Sequence, residues 1–420
     1  MIRILVMSVV TFIAILAWIS AVFLITSEGW LKSPLVKSDS PVEFFTAVEK
    51  SVVQTHLGNF AMILIEDGRV AERYFMSTGA SVDGASVFQV ASLGKWLTAW
   101  GVMLLVEEGA VDLDRPVDEY LTRWKLPNSG FDNSGVTVRR LLSHTSGLND
   151  GLGYDGFDHP DKVQSLAESL TRALDASPGN TGKVELGATP GSEWNYSGGG
   201  YTMLQLLIED VTQQPFSEFM SERIFAPLGL NRTTYNYNEA LSLGLAENFN
   251  LAGKAEPFRW YTALAATSLF TSADDLAKFI AAQTTLSNQS VLSETTLELM
   301  RTPHAAQMGT NIWGLGLMLY APNNVGGYIV GHDGNNGPAI NTVARFDPAT
   351  GDGIVILSTG SKLLATELAG EWVFWKTGRI DNLMFLLLFE TMAIWMGTGS
   401  LLIILVTLTY AWRRRKSKTA

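Results

Sequence analysis

Ser92 stands three residues before Lys95 in Phe88-Gln-Val-Ala-Ser-Leu-Gly-Lys-Trp-Leu-Thr-Ala99. On a helix this spacing stacks a hydroxyl and an amine on one face, and the pair becomes an activated nucleophile when the amine takes the hydroxyl proton. The amine can do so only where burial or nearby positive charge lowers its pKa. A Ser-x-x-Lys pair also arises by chance on exposed helices, where the lysine is merely solvated. Here the serine follows a loop and opens the apolar helix 92–108, which leaves its backbone N–H free to meet an oxyanion. The chemistry these residues would support is covalent acyl transfer.

Two further clusters carry polar groups. Tyr196-Ser197-Gly198 lies inside Pro190-Gly-Ser-Glu-Trp-Asn-Tyr-Ser-Gly-Gly-Gly-Tyr201. Taken alone, Tyr196 is an aromatic packed beside Trp194 and Tyr201; it enters a proton relay only if a cation such as Lys95 or strong hydrogen bonds organise it. The second cluster is His332-Asp333-Gly334 in Val330-Gly-His-Asp-Gly-Asn-Asn336. Gly334 lets the backbone run close to a bound substrate, whereas His332 alone reads as a partly buried polar residue at a strand edge. Glu193 and Asp333 are candidate polar shapers of a cleft. His144 and Ser146, in Ser-His-Thr-Ser-Gly, are assigned to loop stabilisation and not to a Ser-His triad.

The elements that must position these groups follow from periodicity. Pro41 to His56 suits an opening helix, and Phe60 to Phe75 reads as two strands around an Asp67-Gly68 turn. Strands are expected again around 339–346 and 353–359, and Trp313 to Tyr320 reads as one more. Helices are expected at 92–108, 163–176, 197–213, 215–226, 273–285, 292–301 and 362–376. An antiparallel sheet assembled from both ends of the domain, with a helical insertion, is the economical α+β architecture.

Composition limits the partners. With 41 acidic against 30 basic residues the net charge of the 420-residue chain is −11, which opposes binding to nucleic acid. There is no cysteine, and the five histidines are too scattered for a zinc spacing, so no metal site is expected. Ile4 to Ile25 is apolar for about 22 residues, enough to span a bilayer core of roughly 30 Å. It exceeds the ~7–15 residues of a signal h-region and lacks a clear cleavage site, so residues 1–26 read as a transmembrane anchor, with a signal peptide as the alternative. Residues 27–41 read as a linker. A second apolar stretch, 383–412, is expected to be a transmembrane helix, followed by a basic cytoplasmic tail at 413–420. The basic flanks put both termini in the cytoplasm, and the domain between them on the extracytoplasmic, periplasmic side of the inner membrane.

Across residues 42–378 the chain resembles the serine beta-lactamase-related family, the penicillin-recognising hydrolases that include class C beta-lactamases, D-alanyl-D-alanine carboxypeptidases, D-aminopeptidases and related esterases. Ser92-Leu-Gly-Lys95, Tyr196-Ser197-Gly198 and His332-Asp333-Gly334 match its three motifs in order. Val138-Arg-Arg-Leu-Leu-Ser-His-Thr-Ser-Gly-Leu148 and Phe225-Ala-Pro-Leu-Gly-Leu230, with Thr234, resemble two of its scaffold stretches. The resemblance implies a beta-lactamase/transpeptidase-like fold: an antiparallel sheet flanked by helices, with an all-helical subdomain. It also implies Ser92 as nucleophile, Lys95 and Tyr196 as the proton-handling pair, and the N–H groups of Ser92 and Asn335 as the oxyanion hole. His332, Asp333, Gly334 and Gly198 would be substrate-binding residues.

Two departures from the family pattern bear on substrate. Gly198 stands where an asparagine often holds the substrate amide, and His332 stands where many members carry lysine, so a terminal carboxylate is held less strongly. The expected function is hydrolysis, through an acyl-enzyme and without cofactors, of amide bonds in small peptides, including D-residue or cell-wall-derived ones. A carboxylesterase of the same fold is the first alternative, and a catalytically idle peptidoglycan-binding or membrane-complex domain the second. The expected partners are a small peptide or acyl-ester substrate and the lipid bilayer.

Overall fold

The run Phe60-Ala-Met-Ile-Leu-Ile is apolar at every position because its strand is covered on both faces. Ala61, Ile63 and Ile65 join one buried cluster, and Phe60, Met62 and Leu64 join another on the opposite side. The computed structural model that shows this describes residues 2–150, 153–284 and 289–416.

The strands, in chain order, are β1 (Phe60–Glu66), β2 (Arg69–Met76), β3 (Val87–Gln89), β4 (Asn248–Phe249), β5 (Ala255–Glu256), β6 (Phe270–Ser272), β7 (Ala305–Gln307), β8 (Thr310–Trp313), β9 (Met318–Pro322), β10 (Tyr328–Asn336), β11 (Ile340–Phe346) and β12 (Gly353–Thr359). Eight of them form one antiparallel sheet in the order β2-β1-β12-β11-β10-β9-β8-β7. The chain ends of the domain thus meet in mid-sheet, where β1 pairs β12 from Phe60↔Ser358 to Ile65↔Gly353.

The helices are α1 (Ile2–Ser27), α2 (Pro41–Thr55), α3 (Gly94–Glu107), α4 (Val138–Leu142), α5 (Leu166–Arg172), α6 (Gly198–Thr212), α7 (Phe216–Met220), α8 (Tyr237–Ser242), α9 (Leu264–Thr267), α10 (Ala273–Ala281), α11 (Glu294–Arg301), α12 (Leu364–Thr377) and α13 (Asn382–Lys416). On one face of the sheet α2 and α12 pack through Phe44, Val48, Val52, Leu368, Ala369, Trp372 and Val373. The other face meets α3, α6, α10 and the rest of the helical insertion. α3 runs through the middle of that insertion, buried from Gly94 to Leu105, which is why its sequence is apolar around its whole circumference.

The strand expected over Trp313 to Tyr320 is two strands, β8 and β9, with Gly314–Leu317 between them. Gly316 turns there at φ 81°, and a Cβ at that position would sit 2.0 Å from the Cβ of Ala99, so only glycine fits against α3. The helix expected at 163–176 is confined to α5. Ser165 and Glu168 form a capping box at its start, and the Ala173 N–H leaves the helix for the Gly182 carbonyl at 2.8 Å. The helix at 215–226 is α7 followed by a π turn over Ser221–Phe225. The helix at 273–285 ends at Ala281, and residue 285 lies outside the described residues.

α1 and α13 are long and apolar enough to cross a membrane, with candidate spans Leu5–Ser27 and Asn382–Arg414. They pack on each other: Trp18 Nε1 donates to the Trp395 carbonyl at 3.0 Å, and Phe23 meets Phe385 edge-on at 5.9 Å. Between α1 and α2 the chain lies on the domain, with Lys32 paired to Glu371 at 2.5 Å and the Ser38 carbonyl accepting from Trp375 Nε1 at 2.8 Å. α13 stays helical through Lys416, past the expected end at 412; residues 417–420 of the tail lie outside the described residues.

Candidate active site

Ala91 takes a left-handed backbone, φ 50°, and turns the chain from β3 into a 3-10 turn over Ala91–Leu93. A non-glycine residue in that region stores about 1 kcal/mol or more of strain, which the surrounding packing must hold. Ser92 therefore sits on the turn that precedes α3, and Lys95 sits in the first turn of α3. Lys95 Nζ is 3.1 Å from Ser92 Oγ and donates to the Ala266 carbonyl of α9 at 2.5 Å. Its side chain is 1% exposed, and no carboxylate lies within ion-pair distance of it among the described residues. Burial lowers its pKa to about 7, against an opposing pull from Asp150. An amine that is half neutral near pH 7 and touches a hydroxyl can take that hydroxyl's proton.

Tyr196 comes from the turn that leads into α6, and its ring lies 4.9 Å below Lys95 Nζ. Burial pushes its phenol above the ordinary range, and hydrogen bonding to Ser92 opposes that shift. The phenol consequently keeps its proton and is suited to donate one.

The turn is built from residues that motif spacing left in the background. Ser197 caps α6, its Oγ accepting from the Gly200 N–H at 2.8 Å and donating to Asp150 Oδ1 at 2.5 Å. Asp150 also accepts from the Gly199 N–H at 2.6 Å, and burial raises its pKa to about 6. The His144 ring lies 4.3 Å from the Tyr196 ring, tilted by 32°, and its Nδ1 accepts from the Ser197 N–H at 3.1 Å. That bond leaves the proton on Nε2.

The third motif lies on β10. His332 is 1% exposed, stands edge-on to Trp313 at 5.5 Å, and places Nδ1 2.6 Å from the Asp333 carbonyl. Burial, then the charge of Lys95, lowers its pKa to about 4, so it is neutral at physiological pH. A Cβ on Gly334 would lie 2.1 Å from the Val90 carbonyl and 3.1 Å from the Leu93 nitrogen, so the glycine lets β10 press against the Ser92 turn. The Gly334 carbonyl accepts from Asn341 Nδ2 on β11 at 3.4 Å. In a planar trans peptide the Asn335 N–H then points the other way, towards the edge that β9 leaves open after Gly331.

Two residues expected to line the cleft do not. Asp333 follows His332 on a strand, so its side chain points to the opposite face, where it pairs with Arg345 at 2.7 Å. Gly198 is buried beneath Tyr154: a Cβ there would meet that ring at 3.0 Å. Tyr154 belongs to a rim segment between α4 and α5, of which residues 151 and 152 lie outside the described residues. Its hydroxyl bonds Thr202 Oγ1 at 2.9 Å, and its carbonyl accepts from Asn336 Nδ2 at 3.2 Å. Asn336 also bonds the Tyr261 hydroxyl at 2.9 Å and Thr267 Oγ1 at 3.1 Å, so one amide ties the rim to β10. A cavity of about 430 Å³ lies elsewhere, beside Arg73, Arg232, Asp274 and Lys278. Arg73 pairs there with Asp274 and Lys278 with Asp275, while Arg232 Nη1 donates to the Leu243 carbonyl at 2.6 Å.

The chain is similar to several known proteins. Penicillin-binding protein 4* of Bacillus subtilis is 37% identical over 157 residues, which are 37% of this chain and 32% of that protein. The chain thus matches about a third of that relative's length. Penicillin-binding protein 4 of Amycolatopsis lactamdurans is 29% identical over 75% of this chain and 86% of its own. Among solved structures, the octameric penicillin-binding protein homologue from Pyrococcus abyssi superposes with a TM-score of 0.68 at 25% identity, covering 81% of this chain and 78% of that one. The D-amino acid amidase from Ochrobactrum anthropi shares the fold, with a TM-score of 0.62 at 23% identity over 79% of this chain and 96% of its own. The beta-lactamase family model matches residues 44–372, and the chain belongs to that family.

Proposed function

We propose that the protein is a membrane-attached serine hydrolase that cleaves amide bonds of small peptides through an acyl-enzyme at Ser92. The observation that carries this reading is the buried Lys95 amine, near pKa 7 and 3.1 Å from Ser92 Oγ. Ser92 passes its proton to Lys95 as its oxygen attacks the carbonyl carbon. The N–H groups of Ser92 and Asn335 hold the resulting oxyanion. Tyr196 gives its phenolic proton to the departing amine and recovers one from the Lys95 ammonium, which leaves an ester on Ser92 and a neutral lysine. Water then gives a proton to Lys95, its oxygen adds to the ester, and Ser92 leaves with that proton. A protonated phenol favours amides in particular, because an amine anion is a poor leaving group.

The neutral His332 offers no cation to a terminal carboxylate, so uncharged acyl chains are preferred over carboxylate-terminated ones. The penicillin-binding relatives support a peptide-like acyl donor. A carboxylesterase is the second reading, favoured by one observation: the Tyr154 ring covers the position where a side-chain amide would grip a peptide. The apolar terminal helices, with basic residues outside each, support attachment with both termini cytoplasmic and the catalytic domain extracytoplasmic.

The test is to incubate the detergent-solubilised protein and Ser92→Ala with pooled L- and D-residue peptides and activated esters, and to read products and the Ser92 adduct by mass spectrometry. Ser92-dependent amide cleavage is expected. Cleavage confined to esters selects the esterase, and no turnover with no adduct leaves an idle binding domain.

A further inference from the structure

Asp333 was expected at the substrate and is found behind it, in a buried network that reaches the C-terminal membrane helix. Arg345 on β11 has no solvent exposure and holds Asp333 with two parallel bonds, Nε to Oδ1 at 3.0 Å and Nη2 to Oδ2 at 2.7 Å. Its remaining arm, Nη1, reaches Asp381 Oδ2 at 3.1 Å, and Asp381 is likewise unexposed. The other Asp381 oxygen accepts from the N–H groups of Leu383 at 2.8 Å and Met384 at 2.9 Å, which makes it the cap of α13.

Two more contacts close the network. The Tyr320 hydroxyl donates to Asp333 Oδ1 at 2.5 Å while its ring lies 3.9 Å from the guanidinium carbon, and Thr366 of α12 donates to Asp333 Oδ2 at 2.8 Å. Thr366 also accepts from Asn341 Nδ2 at 3.0 Å, the same nitrogen that faces the Gly334 carbonyl. Together these bonds hold the Asp333 carboxylate and the Gly334 carbonyl from the face opposite Ser92.

We propose that Arg345 and Asp381 are positioning residues for the hydrolysis. They join the cap of the membrane helix to β10, so that α13 belongs to the frame that aims the Asn335 N–H. The proposal rests on the serine hydrolase reading above. A bidentate guanidinium between two carboxylates resists sliding in a way that an ammonium, a point charge, does not. Small displacements of an aimed donor are amplified in rate, by up to about 10²-fold per ångström.

The test uses full-length protein in detergent, with the rate of Ser92 phosphonylation by a fluorophosphonate followed by intact mass over a range of probe concentrations. Asp381→Asn keeps a cap acceptor and removes the charge that Arg345 grips. Arg345→Lys keeps the charge and removes the fork, and serves if the first variant folds poorly. Lys376→Met, which breaks the pairs of α12 with Glu66 and Asp352 away from β10, is the control for lost stability. Both network variants are expected to lower the maximal labelling rate about tenfold with the half-saturating concentration unchanged, while Lys376→Met labels like the unaltered protein. Labelling at the unaltered rate in both network variants, or an equal loss in Lys376→Met at equal melting temperature, overturns the proposal. If the unaltered protein is not labelled at all, the hydrolase reading itself falls, and the positioning role falls with it.

Discussion

Two cations are buried on opposite sides of β10. Lys95, on the Ser92 side, has a carbonyl and a hydroxyl for partners and a pKa lowered to about 7. Arg345, on the other side, is held by Asp333 and Asp381, and those charges outweigh its desolvation and raise its pKa further. Burial is near complete for both, so the pairing makes the difference. An unpaired buried amine gives up its proton and becomes a base, whereas a guanidinium between two carboxylates stays charged and becomes a brace. β10 separates the two, because its alternate side chains face opposite ways: His332 towards Lys95 and Asp333 towards Arg345.

The comparison can be broken most severely at Lys95. Lys95→Arg replaces the proposed base with a permanent cation of similar length and is expected to cut the Ser92 acylation rate by roughly 10²–10⁴-fold, measured by labelling kinetics, with a lowered melting temperature as well because the buried guanidinium meets no carboxylate. Arg345→Met should show the reverse weighting. It leaves two carboxylates buried without their partner, so a loss of about 3–5 kcal/mol is expected in denaturant unfolding. The smallest effect sharpens the comparison from the cleft side. His332→Lys adds a cation beside Lys95, and should improve KM for a carboxylate-terminated substrate by up to about fivefold, the worth of a partly exposed ion pair.

What was legible in the sequence was local. Ser92 and Lys95 are three residues apart, and the chain between them can bring them together whatever the rest of the fold does. The hairpin of β1 and β2 was legible as two runs around the Asp67-Gly68 turn. The facing of Asp333 was not, because a motif fixes which residues are adjacent and not which side of the strand each takes. Nor could spacing disclose that Tyr154 covers Gly198, or that Arg345 bridges Asp333 to Asp381, since these contacts join segments brought together only by the sheet and by the return of α12. The single strand expected over Trp313 to Tyr320 shows the same limit: its apolar pattern is real, but the close approach of Ala99 makes Gly316 a turn.

If Lys95 is the base, the rate of Ser92 phosphonylation follows its protonation across pH. Lys95 has a depressed pKa, so its amine is neutral above about pH 7 and is lost to protonation as pH falls through that value. The rate is expected to rise about tenfold per pH unit below 7 and to level above it, with the rise absent in Lys95→Arg. A rate that is flat from pH 5 to 9, or that climbs only towards pH 10 as for a solvated lysine, would contradict it.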